Sequence, residues 1–511
     1  MNAALVVLAA GLVIALALGL RARHGRDMDL EQWSVGGRSF GVIFVFLLLA
    51  GEIYTTFTFL GGSGFSYANG GPALYILAYG CLAYVMSYWL LPAIWRYAKR
   101  ERLVSQADFF ARKYASRNLG ILVSLIGVLA MIPYLILQLK GMSIIVAETS
   151  YGAVPQTAAI IIGTVVLTAY VMVSGIHGAA WTAVLKDILI LAVAIFLGIY
   201  LPWHYYGGIT PMFRSVQQND PSFLTLHTPA LGISWFISTV LLTALGFYMW
   251  PHFFGATFSA KHERALRRNA VVFPLYQLVL LFIFFVGFAA VLKVPGLKGT
   301  DSDLVLLRLS RDTFEPWLVG LIGATGMLTA LVPGSMLLTT SATMLAKNVY
   351  AELRPGTSPA KVLRLAQLLV PVLAAVTLLL TFGGGNTIVA LLLLGYAFVT
   401  QLFPALIASL LPRNPVTAWG AGAGMVVGVG VVSYVIVAKR SVGSLMPFLP
   451  EWAQTVNVGI VALVANVIAL AVVSALTQAS RPQTDPDASG APDASGAPDA
   501  SGVEPVRGAA R

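Results

Sequence analysis

The chain has 511 residues, 58% of them hydrophobic and only 10% charged, where a soluble globular protein carries roughly 25% charged residues; an ordinary soluble enzyme is excluded. Lys and Arg number 32 against 21 Asp and Glu, a net charge of +11, and in so apolar a chain that excess belongs beside anionic lipid rather than nucleic acid. The single cysteine, Cys81, permits neither an intramolecular disulfide nor a Cys-x-x-Cys metal or redox motif.

A helix needs roughly 20 apolar residues to cross the hydrocarbon of a bilayer, and blocks of that length follow one another along the chain. The first, Ala3 to Leu20, is followed rather than preceded by its arginines, Arg21, Arg23 and Arg26, which fits an uncleaved span with its N-terminus outside better than a signal peptide. Further spans are predicted at Gly41 to Ala68, Ala73 to Tyr97, Leu119 to Thr149, Gln156 to Val173, Ala180 to Tyr200 and Gly232 to Phe258. The remainder are Asn269 to Leu292, Trp317 to Tyr350, Val362 to Phe382, Thr387 to Leu411, Val416 to Val437 and Val456 to Thr477. The expectation is an all-α integral membrane protein with about 13 transmembrane helices. An odd number puts the two ends on opposite sides of the membrane, and the charges choose the N-terminus outside and the C-terminus in the cytoplasm. The outer segments then carry Arg214, Lys293, Lys298, Arg308, Arg311, Lys439 and Arg440, and most other Lys and Arg fall inside. The basic stretch Arg96 to Arg117 contains Phe109, Phe110, Arg112, Lys113 and Tyr114, which reads either as a short helix in the inner interface or as a solvated loop. From Gln478 to Arg511 a PDASGA repeat has nothing to bury and is expected to be a disordered cytoplasmic tail. Residues 1–477 then form one polytopic domain in the cytoplasmic (inner) membrane.

No G-x-x-x-x-G-K-[ST] loop and no H-E-x-x-H motif occur, so the chain is not expected to be an enzyme or to need a cofactor, and energy for transport must come from an ion gradient. Such transporters bind solute and ion near the midplane, where a span is broken and its backbone polar groups are free. Two spans carry the means to break. In the second, Gly51, Glu52, Tyr54, Thr55 and Thr56 interrupt an apolar run ahead of Gly61-Gly62-Ser63-Gly64; in the seventh, Thr243 to Pro251 includes Phe247 and Trp250 and ends in proline. Glycine clusters also serve close helix packing. The five-span separation of the two breaks, however, divides spans two to eleven into two units of odd length, which insert with opposite topology.

Here the chain resembles the sodium/solute symporter family. The resemblance covers about Gln32 to Tyr434 and rests on Trp33-Ser34-Val35-Gly36-Gly37-Arg38-Ser39, Gly61 to Gly71, Trp181 to Asp187, Trp250-Pro251 with Ser259-Ala260-Lys261, and Pro333 to Tyr350. Glu52 to Thr56, Tyr134 to Gly141 and Ala330 to Leu338 look most like its bacterial monocarboxylate permease branch. The resemblance implies a 5+5 inverted-repeat (LeuT-like) core, about residues 41–411, with one N-terminal and two C-terminal extra helices. It implies a symporter importing pyruvate-, lactate- or acetate-type monocarboxylates by alternating access, with Na⁺ or H⁺ as coupling ion. The alternatives are a symporter of another small organic solute, or a nutrient sensor on a transporter fold, although the short tail leaves little room for an output module. Partners are the carboxylate and the lipid bilayer, with no nucleic acid; oligomeric state is not legible.

Individual residues follow. A carboxylate at mid-bilayer costs roughly 2.5 to 3.5 kcal/mol and needs a partner or a proton, so Glu52 is either a functional group or a permanent cap on the broken helix. Lys140, in Gln138-Leu139-Lys140-Gly141, either holds a substrate carboxylate or snorkels to the interface. Thr55, Thr56, Gln138, Phe247 and Trp250 complete the expected substrate site. Lys186 and Asp187 are adjacent and need not pair with each other; the resemblance gives Asp187 a role on the ion's exit route, an interface carboxylate being the alternative. His177 reads as solvated in a short loop and His252 as a candidate proton carrier. The family's sodium site would take carbonyls of Gly51 and Tyr54, but its hydroxyl pair aligns at Leu331-Val332 or Val332-Pro333, which lack side-chain oxygens. Ser335, Thr339 or Thr340 are the available substitutes for a hard cation. Proton coupling through Glu52 is therefore expected ahead of sodium.

Overall fold

The structure is a computed structural model in which residues 2–23, 29–51, 53–226 and 229–478 are described. Among these every regular element is helical, with one isolated bridge between Phe40 and Ala260. Among the described residues ten helices are long and apolar enough to cross a membrane, and one bent pair makes an eleventh. Two shorter apolar helices, Val42–Gly51 and Gln156–Met172, stand where the second and fifth spans were expected. Length and composition alone therefore do not reach thirteen. The expected tail from 479 onward lies outside the described residues.

Helix α1 (Ala3–Arg23) is a peripheral span. Helix α2 (Val42–Gly51) stops at the expected break; a π-helical turn, Phe57–Gly61, then leads into α3 (Gly62–Asn69). Threonine side chains stabilise the interruption by giving the backbone partners that compete with helix: the Thr55 amide donates to Thr58 Oγ1 (2.9 Å) and the Phe57 amide to Thr55 Oγ1 (3.1 Å). Next come α4 (Tyr75–Arg100) and the short α5 (Gln106–Lys113). Helix α5 starts with a reciprocal cap between Ser105 and Asp108 and buries Phe109 and Phe110 completely. It is thus a helix whose aromatic face meets protein rather than lipid.

Helix α6 (Arg117–Thr149) is followed by α7 (Gln156–Tyr206), which runs through two predicted spans with a change of direction at Gly175. Its φ of 52° and ψ of −159° suit only glycine. The second break separates α8 (Ile233–Gly246) from α9 (Pro251–Phe258). Trp250 is extended, with φ −63° and ψ 129°, as the residue before a proline prefers, and the two halves meet at 49°. Helix α10 (Glu263–Gln277) continues after one turn to Ala290. At the centre stands α11 (Pro316–Met344): its most apolar stretch is 94% buried, against 22% for α1 and for α12 (Pro359–Phe382). Helix α13 (Ile388–Val399) completes the group around the breaks. Helices α14 (Ala418–Val437) and α15 (Val458–Leu476) form an outer pair. Small residues let them approach closely: a Cβ on Gly424 would lie 2.5 Å from Asn466 Oδ1.

Candidate functional site: a chamber between two broken helices

The two breaks face a narrow chamber whose free volume is about 10 Å³, roughly the room for a single water. Phe57 and Thr58 enter from the first break, Phe247 and Trp250 from the second, Tyr134 from α6 and Tyr396 from α13. The Trp250 ring lies 5.0 Å from Tyr134 and 5.3 Å from Tyr396, an aromatic wall with polar phenol tips. Tyr84 donates its hydroxyl to Gln277 Oε1 at 3.2 Å. No charged side chain is among the described residues lining this space. The Thr58 hydroxyl accepts from the Thr55 amide where the helix resumes, and a helix N-terminal end carries partial positive charge.

Of the residues singled out from sequence, Phe247 and Trp250 line the chamber. Thr55 is committed to the backbone of the break. Thr56 is buried with its hydroxyl unbonded among the described residues, and its methyl group packs on Gly141, where an added Cβ would lie 1.9 Å away. Gln138 is fully buried with both amide atoms unbonded among the described residues. Glu52 lies outside the described residues.

Lys140 is engaged by the protein itself. Its ammonium lies 2.9 Å from Asp303 Oδ2 and 2.8 Å from the Asn386 carbonyl. Asp303 Oδ2 also accepts from the Ile388 amide at 3.0 Å, at the start of α13. Burial pushes the Asp303 carboxyl above its ordinary range against the opposing pull of Lys140 and the Ile388 amide. This lock joins α6, the turn Gly299–Leu304 and α13. Sequence reasoning missed Asp303 because an acid in a polar connection looks solvated; the fold makes it almost wholly inaccessible.

Around the carbonyls expected to hold sodium, the structure places Lys186. This fully buried residue donates from Nζ to Gly51 O at 2.8 Å and Tyr54 O at 3.2 Å, and it lies 3.0 Å from Asp187 Oδ1. The neighbouring Lys186 and Asp187 do pair, because both side chains turn toward the break. A Cβ on Gly51 would meet Lys186 Nζ at 3.3 Å and Val332 Cγ1 at 3.8 Å, so α11 offers a methyl group at this point. Ser335 and Thr339 turn their hydroxyls back to their own helix, onto Val332 O (2.7 Å) and Ser335 O (2.8 Å). With His252 they line a separate small cavity beside Ser34 and Gly175. His177 is not solvated: it is buried within α7, with Nε2 2.9 Å from Gln32 Oε1.

At the end of the bundle carrying α5, Asp108 pairs with Lys347 and accepts from Asn348 Nδ2 at 2.6 Å. Burial would raise its carboxyl, but the Lys347 ammonium and the hydrogen bonds from Lys347, Asn348 and the Val104 amide outweigh that and hold it below the usual range.

Comparison with known proteins agrees with this architecture. The model of the sodium:solute symporter family matches residues 33–428. The chain is 60% identical over 94% of its length to the uncharacterized symporter YhjB of Bacillus subtilis (strain 168), covering 98% of that protein. It is 28% identical to a monocarboxylate transport permease protein of Rhizobium johnstonii, over 92% of this chain and 96% of that one. A solved Na⁺-coupled sialic acid symporter shares the fold, with a TM-score of 0.76 over 93% of this chain and 98% of that one at 16% identity. The fold is the all-helical, LeuT-like transporter fold, and the chain belongs to the sodium:solute symporter family.

Proposed function

We propose that the chain imports small monocarboxylates of the pyruvate, lactate or acetate type by cation-coupled alternating access across the cytoplasmic membrane. The observation that carries the reading is the narrow aromatic chamber between two broken helices, with the N-terminal end of a resuming helix beside it to favour a carboxylate. The chamber is closed too tightly to hold a solute in this form, so binding requires the bundle to open, and the monocarboxylate permease relative supports this solute class. Solute enters when the end holding the Lys140–Asp303 lock opens, binds between the breaks and leaves past Asp108 and Lys347 at the end proposed to be cytoplasmic. Thr56, Gln138 and Lys140 border this route, and in the open state Lys140 is released to attract an anion.

The test is uptake of labelled pyruvate, lactate and acetate by proteoliposomes containing the purified chain, with proline and an uncharged solute as comparators. Saturable accumulation of at least one carboxylate is expected. Accumulation of proline alone, or binding without accumulation of any solute, would overturn the assignment.

A further inference from the structure

We infer that the Lys186 ammonium is a built-in cation, seated where a sodium:solute symporter would hold Na⁺, so that this chain has no seat for sodium at its first helix break. Three oxygens surround Nζ within 3.2 Å: two backbone carbonyls freed by the break, Gly51 O and Tyr54 O, and the carboxylate Oδ1 of Asp187. An ammonium has three N–H donors and no acceptor; among the described residues two donors go to the carbonyls and the Asp187 carboxylate supplies the counter-charge. A metal ion bonded to both carbonyls would have to lie closer to each than Nζ does, as hard cations sit at roughly 2.3–2.6 Å from oxygen. It would thus require the volume that Nζ fills.

The rest of the surroundings are wrong for sodium and right for a tethered charge. The neighbouring helix α11 presents Val332 Cγ1 rather than a hydroxyl, and Ser335 and Thr339 spend their hydroxyls on their own backbone. A fully buried lysine is costly unless its charge is met. Here the carbonyl end of α2, the negative end of its dipole, and one carboxylate meet it. The side chain therefore does for the broken helix what a bound cation does, holding its free carbonyls and balancing Asp187, without leaving when solute leaves.

This assignment rests on the proposed symport, but sodium binding is measured with no solute present, so the two readings fail separately. The full-length chain in detergent is assayed for binding of radioactive sodium and for its melting midpoint in sodium chloride against choline chloride. The wild type is expected to bind no saturable sodium and to melt at the same temperature in both salts. Lys186→Ala combined with Val332→Thr empties the seat and returns a hydroxyl to α11; it is expected to gain saturable sodium binding, with a preference over choline of roughly tenfold or more, and a matching rise in midpoint. Saturable sodium binding by the wild type would overturn the assignment. So would a double variant that elutes like the wild type and shows no new response to sodium, because Lys186 would then be only a clamp on the break. If the double variant does not fold, the wild-type measurement decides.

Discussion

Asp303→Asn would replace the charged oxygen that Lys140 and the Ile388 amide share with a neutral amide oxygen, leaving the ammonium with neutral acceptors and no counter-charge. Removing one partner of a buried ion pair costs about 3–5 kcal/mol, and the 14% exposure of the Lys140 side chain sets the expectation at the lower end, about 3 kcal/mol. Because the pair ties α6 to the 299–304 turn and to α13, that energy is charged to the closed form of this end of the bundle. About 3 kcal/mol is roughly a hundredfold change in the closed-to-open ratio. The assay uses Cys81→Ser, which removes the only cysteine, and Thr58→Cys, a buried chamber position, labelled by a membrane-impermeant maleimide. Asp303→Asn should raise the labelling rate by up to two orders of magnitude. In the double variant Lys140→Met with Asp303→Leu, the effect should fall short of the sum of the singles by about 2 kcal/mol or more. Labelling within about twofold of the parent, or strict additivity, would refute the lock.

Gly395→Ala should impair uptake, because its Cβ would lie 2.5 Å from Trp250 Cη2 and 3.0 Å from the Ala130 carbonyl; overpacking of this kind costs about 1–3 kcal/mol, visible as a raised KM with the protein still monodisperse. Gly141→Ala should destabilise the fold by a similar or larger amount, since its Cβ would meet Thr56 Cγ2 at 1.9 Å; the melting midpoint checks it. Asp108 has a native pKa below its ordinary 3.8, so the stability it contributes is fully present above that value and is lost as pH falls through the lower native one. Asp108→Asn should lower the melting midpoint at neutral pH and narrow its gap to the wild type at acid pH, measured as midpoint against pH. Lys347→Met should remove the same acid dependence.

Both breaks were legible because they are local. Gly51 and the threonines behind it, and the Trp250-Pro251 step, carry backbone preferences written within a few residues of the kink they produce. The partners of Lys140 and Lys186 were not. Lys140 meets Asp303 across 163 positions and Lys186 meets Gly51 across 135, and neither contact leaves a periodicity or a motif. The Lys186–Asp187 pair was misjudged for a different reason: helical geometry separates adjacent side chains on an isolated helix, but both of these are long enough to converge on a gap opened by another helix. The missing hydroxyls at Leu331 and Val332 were visible as an absence, while only the fold places an ammonium beside it.

Helix α7 has no loop at its midpoint. Other neighbouring spans are separated by turns that absorb relative movement, whereas the two halves of α7 share Gly175 alone, at φ 52° and ψ −159°. Lys186 stands 11 positions further on, about 16 Å along the helix at 1.5 Å per residue. In the first half Gly163 lies against Met142 of α6, and in the second Lys186 bonds Gly51 of α2. A joint with so little backlash makes the halves a gear train. Gly175 is thus the one non-helical residue between the arm 156–174 and the arm whose Lys186 bonds Gly51 and Tyr54.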